Sequence, residues 1–298
     1  MDDARTDVTD AHIDDATCAC ASCTVAPMTN PNLRSYDRIL VNSSAGKDSQ
    51  AMLDYLVELA DAQGVSRDRF VVVHCDLGRV EWEGTAELAA EQAAHYGLRF
   101  EIVRRDLGDL LDQVESRHAT NMSKGKDIAP WPSSTTRWCT SDQKTAQVLK
   151  LITRLTAELS HLGRQVRILN CLGIRAEESA ARAKKADWEK DPKACNTKRD
   201  VDRWLPIFAW SEEQVWDRIW ASGVRWHDAY DKGMSRLSCC FCVLAAKGDL
   251  LIAARNNKGL AQEYLAVEVK VGKRFTNDLS MADLIAAAER AAAEKVSA

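Results

Sequence analysis

The sequence predicts an α/β protein with a doubly wound, mostly parallel sheet, followed by a cysteine-containing C-terminal helical extension. Two observations support this fold class. Short apolar runs rich in β-branched residues alternate with helical patterns from Tyr36 onward, and a loop of small residues separates the first such run from the first helical pattern. Alternation of this kind is typical of parallel strands joined by helices.

The predicted elements follow one another in a regular order. Strands are expected over residues 39–41, 70–75, 99–103 and 166–173, and helices over 53–62, 85–96, 141–159, 211–220 and 281–296. Segment 175–203 has many charges and few large apolar residues, so we expect a long mobile loop, which inside a compact domain is usually functional. Ser211, with two glutamates directly after it, is the expected N-cap of the helix that follows.

Composition divides the chain into three parts. Residues 1–35 are acidic with few large apolar side chains, and we expect a flexible tail that carries Cys18, Cys20 and Cys23. Residues 36–250 make up the predicted α/β domain, and residues 251–298 make up the helical extension. The three tail cysteines are candidates for a metal site or for sulfur transfer, or they have no fixed role.

The charge balance and the cysteine content limit the possible functions. The 44 acidic and 40 basic residues give a net charge of -4, so no global electrostatic footprint for nucleic acid exists, although a local basic groove is left open. No apolar run of about 18 residues and no signal sequence is found, and we expect a cytoplasmic protein. Because disulfides rarely persist there, the ten cysteines favour metal or redox chemistry.

The loop at residues 43–49 reads Ser-Ser-Ala-Gly-Lys-Asp-Ser and stands between a strand and a helix. Its small residues let the backbone approach an anion, and the helix N-terminus adds partial positive charge. It is not a Walker A loop, because that pattern needs Gly where Val41 stands and Ser or Thr where Asp48 stands. The loop is therefore predicted to hold phosphates.

Two further segments follow predicted strands and carry polar groups. Asp76 ends the 70–75 run and could bind a ribose or magnesium, or could cap its loop. After Gly173, the side chains of Arg175, Ser179 and Arg182 could bind phosphate or sulfate, or could form a solvated helix start. Ligands of doubly wound sheets bind beyond the carboxyl ends of the strands, so these segments and the phosphate loop should surround one crevice.

The later cysteines have the spacing of a metal site. Cys239 and Cys242 are separated by two residues, which lets two thiolates on one turn share a metal or a cluster. For a further ligand, Cys240 is nearest in sequence, although its side chain should point in a different direction from those of Cys239 and Cys242. Cys195 is the second choice for that position. Cys75 and Cys171 lie within apolar runs and are expected in the core. An iron-sulfur cluster, zinc and free thiols are the alternatives.

The motifs, taken in order, resemble the phosphoadenosine phosphosulfate (PAPS) reductase family of PP-loop ATP pyrophosphatases, the adenine nucleotide alpha hydrolase-like proteins. The loop differs from the family signature Ser-Gly-Gly-Lys-Asp-Ser at one small residue. The resemblance spans about residues 36–250 and rests on residues 43–49, His74-Cys75-Asp76, Arg137-Trp138-Cys139-Thr140 with Lys144, Gly173-Ile174-Arg175 with Glu178, Ser179 and Arg182, Trp204, Pro206 and Trp216, Tyr230, Gly233 and Arg236, and Cys239 with Cys242.

Two departures indicate a branch of this family. PAPS reductases carry a C-terminal nucleophilic cysteine, whereas this chain has none after Cys242, and sulfonucleotide reductases tend to lose the Lys-Asp pair that Lys47 and Asp48 retain. The chain therefore looks more like the iron-sulfur ATP pyrophosphatase of DNA phosphorothioation systems. That resemblance implies adenylation of an acceptor, with ATP split into AMP and pyrophosphate, for sulfur incorporation into DNA or another nucleic acid.

The resemblance also implies cofactors, partners and roles for residues. ATP, Mg²⁺ and a [4Fe-4S] cluster are the expected cofactors, with a cysteine desulfurase or other sulfur donor and a DNA or tRNA acceptor as partners. The expected catalytic residues are Lys47, Asp48, Ser49 and Arg175. Nucleotide binding is assigned to Ser43, Ser44, Ala45, Gly46, Asp76, Gly173, Glu178, Ser179 and Arg182. The expected cluster ligands are Cys139, Cys239 and Cys242, and the fourth position is left open, with Cys240 as the first candidate and Cys195 as the second.

Two alternatives stay open. A sulfonucleotide reductase would act on PAPS or adenylyl sulfate. A non-catalytic subunit would bind nucleotide and an iron-sulfur cluster and sense ATP or redox state for a partner. The sequence leaves the sulfur acceptor and the oligomeric state open.

Overall fold

A six-stranded sheet forms the centre of the fold in a computed structural model that describes residues 30–296. Its strands are β1 (Arg38–Ser43), β2 (Phe70–Asp76), β3 (Arg99–Arg104), β4 (Val166–Leu172), β5 (Trp188–Lys190) and β6 (Arg199–Trp204). They are ordered β3-β2-β1-β4-β6-β5, and every neighbouring pair is parallel except β5 with β6. The order reverses between β1 and β4, so the loops after these two strands open at the switch point of the sheet.

Helices cover the sheet and extend beyond it. They are α1 (Lys47–Gln63), α2 (Thr85–His95), α3 (Leu110–Ser123), α4 (Trp138–Thr140), α5 (Ala146–Glu158), α6 (Ala180–Ala183), α7 (Glu212–Ser222), α8 (Lys247–Asn256), α9 (Lys258–Val271) and α10 (Met281–Val296). A π-helical turn, Ser141–Thr145, joins α4 to α5. No helix within residues 30–296 is both long and apolar enough to cross a membrane.

The two faces of the sheet bury alternate residues of the same strands. On one face Ile39 and Val41 pack with residues of α1 and α7, and on the other Leu40 and Val71 pack with residues of α5. Successive strand side chains point to opposite faces, so strands covered on both faces must be apolar at nearly every position. This requirement explains the continuous apolar runs of β1 and β2.

A second core lies among the C-terminal helices. Residues of α3, α8, α9 and α10 pack around Tyr264, whose ring contacts those of Phe241 and Phe275 at centroid distances of 4.9 and 5.8 Å. Phe241 and Cys240 belong to the turn that carries Cys239 and Cys242, and both are buried in this core. The cysteine turn is thereby anchored by the extension rather than by the sheet.

The fold class predicted from the sequence is confirmed, and the expected strands and helices are present, although α1 begins at Lys47 rather than at residue 53. Ser211 caps α7 as expected and accepts from the Gln214 N–H. The predicted boundary at residue 250 falls inside α8. The tail cysteines Cys18, Cys20 and Cys23 lie outside the described residues.

Segment 175–203 differs from the expected long loop, because it contains α6, β5 and nearly all of β6. In β6 the buried Val201 and Trp204 alternate with charged residues that find partners: Asp202 accepts from the Tyr36 hydroxyl at 2.8 Å, and Arg199 donates to the Ala194 carbonyl at 2.5 Å. Counting charges hid this strand, since paired charges can be buried.

Candidate active site

The phosphate loop begins where β1 ends and leads directly into α1. Ala45 has φ +56°, and it is alone among the non-glycine residues of 30–296 in having a positive φ. The four consecutive loop N–H groups donate to hydroxyl oxygens: Ser44 to Ser49 (3.1 Å), Ala45 to Ser43 (3.2 Å), Gly46 to Ser44 (3.4 Å) and Lys47 to Tyr230 (2.8 Å). These hydroxyls stand where the oxygens of a bound anion could stand.

The loop after β4 packs directly against the phosphate loop. A Cβ atom on Gly173 would lie 3.0 Å from the backbone carbon and oxygen of Asp48 and from the backbone nitrogen of Ser49. Only glycine allows this approach without a shift of the backbone. The structure thus brings together the two segments that were predicted to share one crevice.

Charged side chains form a network beside the loop. The Lys47 ammonium lies 3.2 Å from Asp48 and 3.7 Å from Glu212, and the Arg175 guanidinium donates to Asp48 at 2.5 Å and to Glu177 at 2.5 Å. Lys47 and Arg175 are 3% and 2% exposed, so both charges are buried with carboxylate partners. The network also reaches α7, because the Glu212 N–H donates to Glu177.

A cavity opens in front of the phosphate loop, and we call it the main cavity. Ser44, Gly46, Asp48 and Ser49 line one side, and Cys139, Cys239 and Cys242, which we call the cysteine wall, line another. Gly173 and Tyr230 also face the main cavity. The phosphate loop and the three cysteines therefore line the same cavity.

The thiols of the cysteine wall influence one another. A hydrogen bond from Cys239 lowers the pKa of Cys242 to about 6 despite its burial, with further stabilisation of the thiolate by the Leu244 N–H and Arg236. The same bond raises the pKa of Cys239 well above its ordinary range. Burial raises the pKa of Cys139, and the nearby Cys242 adds to that effect. Cys242 is thus the thiol that is most readily ionised in this group.

As they stand, no three or more His, Cys, Asp or Glu side chains of residues 30–296 surround one point closely enough to hold a metal ion. In the cysteine wall, the free thiols of Cys239 and Cys242 share a hydrogen bond, and Cys139 lines the same cavity. Three thiols on one cavity wall, one of them easily ionised, are the donor chemistry that iron or zinc takes. The residues present therefore fit such a group in kind.

Cations surround the main cavity. Arg137, Lys144, Arg182 and Arg236 all line it, and among the described residues no carboxylate lies within ion-pair distance of Arg137, Lys144 or Arg236. Burial lowers the pKa of Arg182, and repulsion from Arg236 and Arg137 lowers it further. Arg182 is paired with Glu178, so Arg137, Lys144 and Arg236 are the cations of the cavity that could attract an anionic ligand.

A second cavity adjoins the first at the carboxyl ends of β1, β2 and β4. Its walls combine apolar side chains, among them Val73, Val148 and Ile152, with the amides of Asn42 and Asn170. The Asn42 amide donates to Asn170 at 2.7 Å, which fixes both side chains. Ser44 and Gly173 line both cavities, so a ligand bound in the second cavity can reach the phosphate loop.

Some residues predicted for the site lie elsewhere. Asp76 lines neither cavity, because its carboxylate accepts from the Gly78 N–H at 2.6 Å and faces Arg104. Ser179 is exposed and caps α6. Cys240 is 1% exposed in the second core, where its N–H donates to the Val80 carbonyl. Lys47 contacts the loop but does not line the main cavity.

Other cavity residues had no signal in the sequence analysis. Gln143 is 1% exposed and lines the main cavity, and its Oε1 has no partner within the described part of the chain, although its Nε2 donates to Gln113. Glu81 lines both cavities. Gln143 lies in an ordinary helical pattern, and Glu81 lies in a charged loop, so the sequence does not distinguish either of them from polar residues exposed to solvent.

A family model of the phosphoadenosine phosphosulfate reductase domain matches residues 38–245. The chain belongs to this family. The resemblance drawn from the motifs is thereby confirmed, and the match falls within the predicted domain of residues 36–250.

Similar sequences include three that cover different shares of the chain. An uncharacterized 37.8 kDa protein of Escherichia phage 186 is 31% identical over 42% of this chain and 36% of its own length. An uncharacterized protein of Methanocaldococcus jannaschii is 26% identical over 71% of this chain and 37% of its own length. An adenosine 5'-phosphosulfate reductase of Neisseria meningitidis is 36% identical over 25% of this chain and 29% of its own length. The chain thus matches well under half of each relative.

Two solved structures illustrate the structural likeness. A PAPS reductase of Candida auris is 15% identical, with 72% of this chain and 84% of that chain covered and a TM-score of 0.41. The U34-tRNA thiolase NcsA of Methanococcus maripaludis, solved with its [4Fe-4S] cluster, is 15% identical, with 86% and 72% covered and a TM-score of 0.41. Likeness of this size carries no functional information.

Proposed function

We propose that the protein splits ATP between its α- and β-phosphates and transfers AMP to an acceptor, which is thereby activated for replacement of oxygen by sulfur. The acceptor is DNA or another nucleic acid such as tRNA. The observation that carries the proposal is the shared cavity, which is lined both by a loop suited to phosphates and by three thiols.

The two cavities suit different parts of the substrates. The second cavity offers apolar walls and the fixed amides of Asn42 and Asn170, which suit an adenosine. Its opening at Ser44 would bring the phosphates onto the loop amides. The cations Arg137, Lys144 and Arg236, which have no carboxylate partner among the described residues, suit the phosphates of an anionic acceptor.

The chain's own charged residues would take over phosphate contacts. Lys47 would exchange its contact with Glu212, a largely exposed carboxylate, for the β- and γ-phosphates. Arg175 holds Asp48, and Asp48 and Ser49 would orient Mg²⁺ and the phosphates, so that charge developing on the leaving pyrophosphate meets fixed positive groups.

The cysteine wall would hold an iron-sulfur cluster through Cys139, Cys239 and Cys242. Cys240 points into the second core in this structure, so we assign no fourth ligand within the described residues. A cluster with three protein ligands would supply an iron position for a sulfur atom. The sulfur itself would come from a cysteine desulfurase or another donor, and Mg²⁺ and ATP complete the expected cofactors.

Pyrophosphate release from ATP and Mg²⁺ tests the proposal, with anaerobically purified protein and candidate DNA or tRNA added. Lys47→Ala should reduce release by about 100-fold or more, because a preorganised charge at the leaving group is lost. Lys258→Ala, an exposed lysine at the start of α9, is the matched control and should be unchanged. ATP binding without release, with the cluster present and acceptors supplied, would contradict the proposal.

A sulfonucleotide reductase is the second candidate, favoured by the local match to the Neisseria reductase. It would reduce PAPS or adenylyl sulfate to sulfite with thioredoxin. Sulfite formation from either compound, together with absence of pyrophosphate release, would establish this alternative.

A further inference from the structure

Glu81 occupies a position that the proposed function leaves without a role. It follows the short 3₁₀ turn Gly78–Val80 after β2, its side chain is 16% exposed, and it lines both the main and the second cavity. A carboxyl group at the junction of the two cavities would stand beside both the nucleotide and the acceptor.

A buried imidazole holds Glu81 in place. His74 is 1% exposed, with Nδ1 3.0 Å from the Ser43 carbonyl oxygen and Nε2 3.0 Å from Glu81 Oε2. A carbonyl oxygen only accepts, so Nδ1 carries a hydrogen and donates it. The contact between Nε2 and the carboxyl then needs one further proton, which resides on the ring or on the carboxyl. The pair therefore shares a proton at the edge of the cavities.

The surroundings of the pair favour retention of this proton. Burial acts to lower the pKa of His74, but the hydrogen bond and the charge of Glu81 outweigh it, and the net shift is upward. Lys144 opposes the shift from the turn before α5. The charge of Glu81 also acts to raise the pKa values of three other titratable groups, namely Cys75, His227 and Cys240. Cys75 and Cys240 have raised pKa values and stay neutral, and His227 has a lowered one, so none of them competes for the proton near neutral pH.

We propose that Glu81 takes the proton of the acceptor group as that group attacks ATP, and that His74 positions the Glu81 carboxyl through the proton that the pair already holds. This role rests on the proposed function. The step applies to an acceptor that carries a proton, such as the imide of a nucleic-acid base, and not to a phosphodiester, whose oxygens are already ionised. The acceptor oxygen forms a bond to the α-phosphorus, the bond between that phosphorus and the bridging oxygen breaks, and pyrophosphate leaves with the electron pair. The acceptor proton passes to the carboxyl oxygen of Glu81 that does not contact His74, and then to solvent.

The test measures ATP binding and pyrophosphate release separately, across pH, with acceptor present. Glu81→Gln keeps the shape and the contact to His74 but does not take up a proton, so we expect release to slow by about 100-fold with ATP affinity unchanged. Glu81→Asp should recover part of the rate. His74→Gln should slow release less and should shift the acidic limb of the pH-rate profile, which a merely structural role would not do.

Glu83→Gln is the matched control, because Glu83 is an exposed neighbour that lines neither cavity. If the wild-type protein releases pyrophosphate and folded Glu81→Gln does so at the same rate and with the same pH profile, the role of Glu81 is overturned alone. If the wild-type protein binds ATP and releases no pyrophosphate with any acceptor, the proposed function fails and the role fails with it.

Discussion

The phosphate loop and the cysteine wall face the same cavity, but they differ in how their polar groups are satisfied. Each loop N–H from Ser44 to Lys47 already donates to a hydroxyl oxygen, and the buried charges beside the loop have carboxylate partners. The cysteine wall has an easily ionised thiol beside cations that lack carboxylates. The N–H groups and buried charges of the loop therefore have partners without a ligand, whereas the cations beside the cysteine wall gain a partner only when an anion binds.

This difference predicts that a substitution in the cysteine wall leaves nucleotide binding by the loop unchanged, and that a substitution in the loop leaves cluster binding unchanged. The loop is anchored by the sheet and by α1, and the cysteine turn by the aromatic core around Tyr264. Loss of the cluster should spare nucleotide binding, and changes in the loop should spare the cluster.

Removal of one cysteine should have the largest effect. Cys242→Ala is expected to abolish the visible absorbance of an anaerobically reconstituted cluster and to lower thiolated product by more than about 100-fold, since a direct ligand matters at least as much as its supporting groups. ATP binding, measured by calorimetry, should be unchanged. Cys195→Ala is the matched control, because Cys195 packs in the core beneath α5, away from the main cavity. A cluster that survives Cys242→Ala would remove Cys242 from the ligand set.

Gly173→Ala should damage the loop and spare the cluster. The new Cβ would press on the backbone of Asp48 and Ser49, which cannot move without shifting α1, and we expect a loss of about 1–3 kcal/mol in the free energy of unfolding. Gly248→Ala in α8 meets nothing within 4 Å and should change stability by at most about 1 kcal/mol, in the stabilising direction. Equal denaturation midpoints for the two variants would contradict the close approach at Gly173.

Tyr230→Phe should separate stability from binding. Loss of the hydroxyl leaves the Lys47 N–H without its acceptor, which we expect to cost about 1–3 kcal/mol of stability, because a buried donor is left unsatisfied. If phosphate takes the place of the hydroxyl, the affinity for ATP should rise severalfold in the same variant. Tyr96→Phe removes a hydroxyl that donates to Asp54 far from the cavity, so it should lose stability without a change in affinity.

The stability of the protein across pH should show that the buried His227, beside Thr85 of α2, is neutral in the folded state. His227 accepts from the Ala229 N–H at Nδ1 and donates from Nε2 to Thr85, and burial lowers its pKa. The folded state thus favours the neutral form, so its contribution to stability is present above the ordinary pKa of about 6.5 and is lost as pH falls below it. The thermal midpoint should fall between pH 7 and pH 5, and His227→Gln should flatten that dependence. An equal slope in the variant would show that another group controls it.

Ala45→Gly should have the smallest effect. Glycine would relieve the positive φ, worth about 1–2 kcal/mol, but it would lose a buried methyl group worth about 0.8 kcal/mol and would gain freedom in the unfolded chain. These effects nearly cancel, so we expect a net change below about 1 kcal/mol by chemical denaturation. A larger loss would mean that the contact of Ala45 with Leu88 and Ala89 dominates.

Sequence patterns were sufficient for strands β1 to β4 and for the phosphate loop because both depend on local signals. Continuous apolar runs predicted the buried strands, and small residues before an amphipathic helix predicted the loop. Strand β6 escaped the same reasoning, since its charges are paired with distant residues such as Tyr36 and Thr153. Pairing over such separations is not visible as a pattern.

The sequence predicted the phosphate loop and the cysteine pair of the candidate site, but it did not predict the cavity residues Gln143 and Glu81, which lie between them in the chain. The loop and the cysteine pair are short motifs, and the structure brings both to one cavity. Asp76 shows the opposite outcome, because its carboxylate bonds the Gly78 N–H and turns away from the site. The roles of Gln143 and Glu81 depend on tertiary packing, which leaves one amide oxygen unpartnered within the described residues and one carboxyl between two cavities.

The hydroxyl acceptors of the phosphate loop also bear on how an anion would depart. When a bound anion leaves, each backbone N–H regains a side-chain oxygen within reach, so departure exposes no unsatisfied amide. The hydroxyl oxygens thereby lower the free-energy cost of losing an anion, so a loop of this kind would hold an anion less tightly than one whose N–H groups are left without acceptors.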